Sequence, residues 1–402
     1  VHEKWAHRSG LAKTAISDRH AARLWRLPAS NLAVVSWPPV FKERVFINWH
    51  YWWQAHYIDC LVDAALRDPS NDNRQTIVRT LRGIRLRNGK FTRNRYYDDK
   101  AWLALALGRA VELPKFPAHR FQSALKDLEL NIIAGIDSVT GVLPWRVGET
   151  FFNVPSNGPG AIMLARSGRL DQAVSITDWI FDNLINDDGL VMDGIRMRMD
   201  GPEIVRTIHP YNQGTAMAAC LEVALELRKR AGFGYEEGVA GIDDAERIDE
   251  SMRFITRIRE LVQAVAVHMA TPAGVIDWET GDGDGGLFKG ILVRYLADVA
   301  VRLPADSPVN RAAKKLAARL VLASAESVWN HRLEVDGLPI FPTDWTADAH
   351  LPHNYGLGPT SFGEAVGVIR IAERDLSVQL SGWMLLEAAA RVAKHRGEAA
   401  QK

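Results

Sequence analysis

Apolar residues recur at helical spacing along almost the whole chain. Ala173, Ile176, Ile180 and Leu184 form one stripe, with Asp171, Ser175, Asp178 and Asp182 opposite. Ile258, Leu261, Val262, Val265 and Met269 form a second, and Ala313, Leu316, Ala317, Leu320 and Val321 a third. Each is a helix with one wet face. Other segments are apolar nearly all round, as in AWLALAL from Ala101 to Leu107 and AMAACLEVALEL from Ala216 to Leu227. Such helices are buried on most sides, and their alanines permit close packing. The pattern predicts about twelve helices, near 3–27, 48–67, 72–87, 98–112, 116–134, 157–167, 169–186, 211–231, 243–270, 287–302, 306–330 and 376–395. No run of alternating strands is visible, and no strand–glycine-rich loop–helix unit.

Half-buried and fully buried helices in similar number predict two concentric rings. The expected fold is all-α, an (α/α)6 toroid; no fixed-period repeat supports the alternative, a solenoid. No Pro/Ser-rich linker divides the chain, so residues 1–402 are read as a single domain. The connections Gly141–Pro159, Ile208–Gly214, Gly274–Gly290 and Gly337–Gly363 are rich in Gly, Pro, Asn and aromatics. Loops of this kind at one end of an inner ring would line a central cleft, and the last is long enough to read as functional.

Composition narrows the class. Lys and Arg number 49 and Asp and Glu 48, so the net charge is +1. Overall there is no field to attract nucleic acid or an anionic membrane. Hydrophobic residues at 47% and charged residues at 24% exclude a disordered chain. No stretch approaches the roughly 18 apolar residues of a membrane span. The charged, periodic segment Val1–Leu27 does not read as a signal peptide, which slightly favours a cytoplasmic location. An extracellular one is expected if a leader was removed. A monomer is expected. Cys60 and Cys220 lie in apolar helical segments and read as buried structural thiols. The 13 Trp are the informative number, with Trp49, Trp52 and Trp53 in one segment, then Trp102, Trp145, Trp278 and Trp345. Core packing is the plain reading. Sugar stacking is the functional one, since pyranose C–H faces pack well on indoles.

Walker, GxGxxG, HExxH and GxSxG motifs are all absent, and no cofactor or metal is implied. The run Gly281–Gly286 (GDGDGG) fails as an EF-hand: Phe288 falls where the loop needs a bidentate Glu. It reads as a plain turn. The segment Asn94–Trp102 (NRYYDDKAW) is different, because Asp98 and Asp99 open an otherwise apolar helix. One cap needs one carboxylate, and here are two, flanked by Tyr96, Tyr97 and Trp102. Glycosidic cleavage requires such a pair, one to attack or position water and one to protonate the departing oxygen. Crowding two acids raises one pKa, while the helix N-terminus and nearby donors keep the other ionised. Residues 74–95 carry eight Lys/Arg and no Asp/Glu. They read as a solvated basic face, or as a basic rim for an anionic glycan or glycolipid, with Arg93 or Arg95 placed to depress one aspartate's pKa.

With the YYDD–K–A–W–LALAL segment, three more stretches carry a resemblance. His209–Gly214 reads HPYNQG, Leu287–Tyr295 reads LFKGILVRY, and Asn153–Ala165 reads NVPSNGPGAIMLA. Together, in their order along the chain, the four resemble glycoside hydrolase family 76, the endo-α-1,6-mannanase family, over roughly residues 15–395; a bacterial member is expected. The resemblance implies an (α/α)6 barrel, retaining cleavage of α-1,6-linked mannan, and, for some relatives, transglycosylation of mannose-containing anchors and glycans. Carried over by position, Asp98 is the nucleophile and Asp99 the general acid/base. Tyr211, Asn212 and Gln213 would hydrogen-bond sugar hydroxyls, with Tyr97, Asn157 and Lys289 counted in the same set. Trp145 and Trp278 would stack on mannose rings. Two departures stand out: Gly141–Trp145 reads GVLPW, and the loop Thr343–Leu357 has no counterpart and is expected to shape subsites of its own. The expected partner is α-1,6-mannan or a mannose-containing oligosaccharide or glycolipid. The competing readings are a sugar epimerase using His209, His350 and His353, and a non-catalytic glycan-binding toroid.

Overall fold

The two kinds of amphipathic pattern separate in space. The computed structural model describes residues 2–232, 242–352 and 371–401. Among them the chain forms α1 (His2–His20), α2 (Phe41–Arg44), α3 (Tyr51–Arg67), α4 (Asn71–Asn88), α5 (Tyr97–Val111), α6 (Gln122–Ile133), α7 (Val154–Arg166), α8 (Leu170–Asn183), α9 (Pro210–Arg230), α10 (Ile242–His268), α11 (Phe288–Arg302), α12 (Pro308–Asn330) and α13 (Leu376–Ala400). The helices apolar all round, α3, α5, α7, α9, α11 and α13, pack each on the next, and α13 returns to α3. They make a closed inner ring. The one-faced helices α1, α4, α6, α8, α10 and α12 stand outside it. The chain alternates outer and inner, so all inner helices run in one direction. Their N-termini, with their unsatisfied N–H groups and positive dipole ends, therefore gather at one end of the ring.

Ser70 and Ser307 cap α4 and α12 by accepting from Asn73 N and Asn310 N, both at 3.2 Å, and Asn153 caps α7 through Ser156 N at 3.3 Å. The glycines of two quoted motifs have a packing reason. A Cβ on Gly214 would lie 2.9 Å from Leu292 Cα, and one on Gly290 would lie 2.6 Å from Ser381 Cα. Only glycine lets α9 approach α11, and α11 approach α13, this closely.

Three sequence expectations change. The helix expected over 3–27 ends at His20, and Ala21–Ala22 (β1) pairs with Leu32–Ala33 (β2). Trp25 and Arg26 then take left-handed backbone angles, φ 47° and 62°. The helix expected from 116 starts at Gln122, because Pro117 precedes a short 3-10 turn at Ala118–Arg120. Strands appear where none was expected: β3 (Phe151–Asn153), β4 (Met192–Arg198) and β5 (Gly201–Ile208) form an antiparallel sheet. The β4–β5 ribbon is exposed or half-buried along most of its length, so no face needs to be wholly apolar and the period-two signal is weak. A further small hairpin joins β6 (Leu333–Val335) to β7 (Leu338–Ile340). Cys60 and Cys220 are buried and unpaired, as free thiols in α3 and α9.

The C-terminal end of the ring is charged. Arg109 of α5 binds Asp59 and Asp63 of α3, and Arg294 of α11 binds Asp63 at 2.6 Å and Asp59 at 3.4 Å. Glu222 of α9 accepts from Arg166 and Arg302, each at 2.7 Å, and Asp298 pairs with Arg391. A cavity of about 610 Å³ opens among these groups. It lies at the end away from the aspartate pair, and its guanidiniums are already matched by carboxylates.

Candidate active site

Asp98 and Asp99 occupy the first turn of α5, at the end where the inner N-termini gather. The connection before α7 braces them. Tyr97 N donates to Trp145 O at 2.9 Å, Val147 N to Arg95 O at 2.9 Å, and Trp145 N to Phe151 O at 2.7 Å. This brace aims the Trp145 indole at the acids, and its Nε1–H donates to Asp98 Oδ2 at 3.1 Å. Asp98 Oδ1 accepts the backbone N–H of Asp99 at 2.9 Å. Asp99 Oδ2 accepts from Asn94 Nδ2 at 2.8 Å, and Asn94 Oδ1 in turn accepts Tyr96 N at 2.8 Å. Each carboxyl thus has its own neutral donor.

Both carboxyls are partly open to the cleft, yet both hold their protons far more tightly than a free aspartate. Burial is the largest cause. It pushes Asp98 up to about 7, against the donors Asp99 N and Trp145 that favour its anion. Asp99 is raised well above the usual carboxylate range, by burial and then by the charge of Asp98. Asn94 and the ammonium of Lys100 oppose that rise. The expectation that Arg93 or Arg95 would depress one of the pair finds no support: neither is among the main groups that shift them, and Arg95 donates to Val147 O at 3.3 Å.

A third carboxylate faces the pair. Asp284 comes from the glycine-rich run that reads as a plain turn in sequence. A Cβ on Gly285 would lie 1.8 Å from Thr280 O, and Gly283 N is held by Asp375 Oδ2 at 2.8 Å. The tight turn leaves Asp284 exposed, with Oδ1 accepting both the Trp52 and Trp53 indoles at 3.0 and 2.8 Å. Its charge raises Asp98, Asp99 and Tyr211 together, so it stands within electrostatic reach of all three.

The floor is aromatic. Tyr211 stacks on Phe288 with ring centroids 4.0 Å apart and planes within 5°. Trp52 and Trp102 each lie 6.4 Å from Tyr211, and His56 packs beneath Trp102 at 4.6 Å. Burial holds His56 neutral, with its pKa near 3. The cluster joins α3, α5, α9 and α11 at the ring axis. Beside it, β4 bulges between Met192 and Gly194, which turns Asp193 toward Asn212. Asn212 Nδ2 donates to Asp193 Oδ1 at 3.0 Å, while Asn212 Oδ1 is buried with no partner.

The structure thus brings Asp98, Asp99, Trp145 and Tyr211 together, with Asn212 alongside. Other expected sugar contacts sit elsewhere. Tyr97 packs on Gly135, where a Cβ would come within 2.1 Å of its ring, and Lys100 Nζ lies 4.0 Å over its face. Asn157 is fully buried, bonded to Leu143 N and O and to Asn153 O, each within 2.9 Å. Gln213 is likewise buried, bonded to Val191 N and O and to His209 O, each within 3.0 Å. These two amides spend their donors and acceptors clamping the loops that carry Trp145 and Asp193, instead of facing the cleft. Trp278 and Lys289 line a second cavity of about 550 Å³, shared with Asp277, Asp344, His350 and Glu373. There Lys289 Nζ donates to Thr343 O at 2.7 Å, and burial lowers its pKa to about 8. His209 packs on Tyr211 and Phe288, and His350 lies 3.4 Å from Glu373. His353 and positions 353–357 of the long loop lie outside the described residues.

Sequence reasoning missed Asn94, Asp193 and Asp284. Asn94 was within reach, four positions before Asp98 in the quoted segment. Asp193 and Asp284 carry no local signal, because a bulge and a tight turn aim them.

A family model, glycosyl hydrolase family 76, matches residues 30–225. No curated protein matches the chain. Among solved structures, the GH76A α-1,6-mannanase of Salegentibacter sp. HEL1_6 aligns with a TM-score of 0.75 at 25% identity, covering 96% of this chain and 99% of that one. An inactive variant of the same enzyme, with two consecutive aspartates replaced by asparagine, was solved with α-1,6-mannotriose. It gives 0.74 at 25% identity, with the same coverage. A protein of Listeria innocua gives 0.73 at 22% identity over 98% of both chains, a likeness of fold alone.

Proposed function

The chain belongs to glycosyl hydrolase family 76, and from that premise we propose that it cleaves α-1,6-linked mannan with retention, by double displacement at Asp98 and Asp99. The observation that carries this reading is the acid pair itself: two adjacent carboxyls at the gathered helix N-termini, Asp98 held by Trp145 and the Asp99 N–H and Asp99 by Asn94. Burial raises both, and the charge of Asp98 raises Asp99 further, so the two do not ionise together. A singly protonated pair therefore presents a carboxylate and an acid side by side. Asp98 attacks the anomeric carbon as Asp99 gives its proton to the departing oxygen. Asp99, now a base, takes a proton from water, and that water attacks from the face the leaving group vacated, breaking the bond to Asp98 and restoring Asp99 as the acid. Trp145 and the Asp99 N–H orient the nucleophile, and Asn94 orients the acid.

The neighbour inactivated at two consecutive aspartates supports the same pair. Of this chain's other adjacent aspartates, Asp187–Asp188 sit on an exposed turn and Asp243–Asp244 open the outer helix α10. Tyr211 is proposed to lie under the reacting sugar, with Trp278 and Lys289 serving a more distant one. Asn157 and Gln213 act through the loops they hold.

The test is to incubate the protein with linear α-1,6-mannotetraose and follow the products by NMR. Shorter products appearing first as α-anomers are expected, and longer ones would show transfer. β-Anomers appearing first would overturn retention. No turnover of linear, branched or lipid-linked α-1,6-mannan would overturn the reading as a whole.

Asp284 gives a second test. Its negative charge raises both members of the pair, so removing it lowers both. Asp284→Asn should move the acid and the basic limb of the kcat/KM profile to lower pH together. An unmoved profile would mean that Asp284 acts only on the two indoles.

A further inference from the structure

The near-zero net charge hides a local asymmetry. Along α4, Arg79, Arg82 and Arg85 fall three apart on one solvent face, with Leu86 exposed beside them. No acidic residue occurs between Arg74 and Arg95. Against this helix lies the segment from Arg23 to Asn48. Asn31 N donates to Arg79 O at 3.0 Å, and Arg87 Nε donates to Phe46 O at 2.8 Å. The segment turns large apolar side chains outward: Phe41 is 74% exposed, Ile47 56% and Trp25 55%. Trp25 Nε1–H is anchored on Val45 O at 3.0 Å, which ties its ring to the stretch between Phe41 and Ile47. Arg23, Arg26, Lys42 and Arg44 are exposed among them. The one acid of the segment, Glu43, is turned inward onto Arg374 at 2.7 Å.

Keeping three such side chains in water is unfavourable, and a clustered apolar patch of this kind marks a contact surface. Aromatic and aliphatic tips ringed by Arg and Lys are the composition of interfacial membrane anchors. Tips enter at headgroup depth, while the cations meet lipid phosphates and the arginine stems lie along the apolar boundary. We propose that this face, α4 together with the 23–48 segment, docks the protein on a bilayer containing anionic phospholipid. Charge complementarity selects the anionic lipid, and the protruding Phe41 and Ile47 select a bilayer over a soluble polyanion.

The surface borders the mouth of the cleft. The apolar segment runs directly into Trp49, Trp52 and α3, and residues 89–96 join α4 to the acid pair. Docking would therefore present Asp98 and Asp99 to a membrane-borne glycan. That consequence rests on the glycosidase reading, whereas the docking itself does not.

The experiment is co-sedimentation of the full chain with vesicles of equal parts phosphatidylglycerol and phosphatidylcholine, and with vesicles of phosphatidylcholine alone. Binding is expected only to the first, and it should weaken as salt is added. Two double variants separate the contributions, Phe41→Ser with Ile47→Ser, and Arg82→Glu with Arg85→Glu. All four side chains are exposed, so unchanged melting is expected. Each pair should lower vesicle partitioning by about tenfold or more, since each cation near an anionic surface contributes several-fold. No binding to the anionic vesicles would overturn the proposal. So would unaltered binding of the Ser variant, or tighter retention on heparin than on vesicles, which would assign the face to a soluble polyanion. Mannanase activity is not part of this readout, so failure here leaves the glycosidase reading standing, and the reverse.

Discussion

Asp98→Asn should reduce hydrolysis of α-1,6-mannooligosaccharides by roughly 10³-fold or more, because the amide cannot attack the anomeric carbon. Asp99→Asn should cost about 10²- to 10⁴-fold on natural substrates, the range of a lost general acid. The two should separate with an aryl mannoside whose leaving group needs no proton. Asp99→Asn then regains its first step, and Asp98→Asn does not. Full activity in Asp98→Asn would remove it from the mechanism.

Both variants should also melt higher than the parent at neutral and alkaline pH. A carboxyl with a folded-state pKa raised above its unfolded value of about 3.9 helps stability below that value. The help is lost as pH rises, for Asp98 through about 7. Above this window the folded protein bears a buried charge that the Asn variant lacks. The gain in melting temperature should disappear when both proteins are compared below about pH 3.9. An inactive variant that melts lower at every pH would point instead to a damaged fold. The site is, on this account, a place where function costs stability.

The largest loss of stability is expected at the other end of the ring. Arg294 is buried and joins α11 to Asp59 and Asp63 of α3. Arg294→Met should destabilise by about 3 kcal/mol, since removing one partner strands buried charge on the other. Chemical denaturation at neutral pH measures this. The sign with pH is opposite to that at the active site. Asp59 is depressed to about 2, its burial outweighed by Arg109 and Arg294. Its contribution is present above the unfolded pKa of about 3.9 and is lost as pH falls toward 2. The variant's deficit should therefore be full at neutral pH and shrink in acid. A constant deficit would assign the effect to packing alone.

These charges show how far the one-dimensional pattern reaches. Asp59, Glu222 and Asp298 stand in segments that are otherwise apolar, and the side chains that bond them lie far off in sequence. Their partners, Arg109, Arg166, Arg302 and Arg391, lie 50 to 93 positions away. Ring closure alone brings them together.

The helices were legible because burial on one side or on all sides imposes a 3.6-residue period that any sequence must carry. That period distinguished outer from inner helices and so implied the double ring. The acid pair was legible because two carboxylates at the start of an apolar helix have no packing reason to be there. The exposed ribbon of β4 and β5 was not, since a strand wet on both faces needs no alternation. Nor were Asp193 and Asp284, whose positions depend on a bulge and a glycine turn. Asn157 and Gln213 were legible as motif residues, but their roles were not: whether an amide faces a cleft or clamps a loop depends on backbone groups from elsewhere in the chain. The sequence by itself determined the two kinds of helix, hence the double ring, and singled out the acid pair as the candidate chemistry. Only the tertiary structure decided which residues meet, because distances across a closed ring are set by all its helices at once.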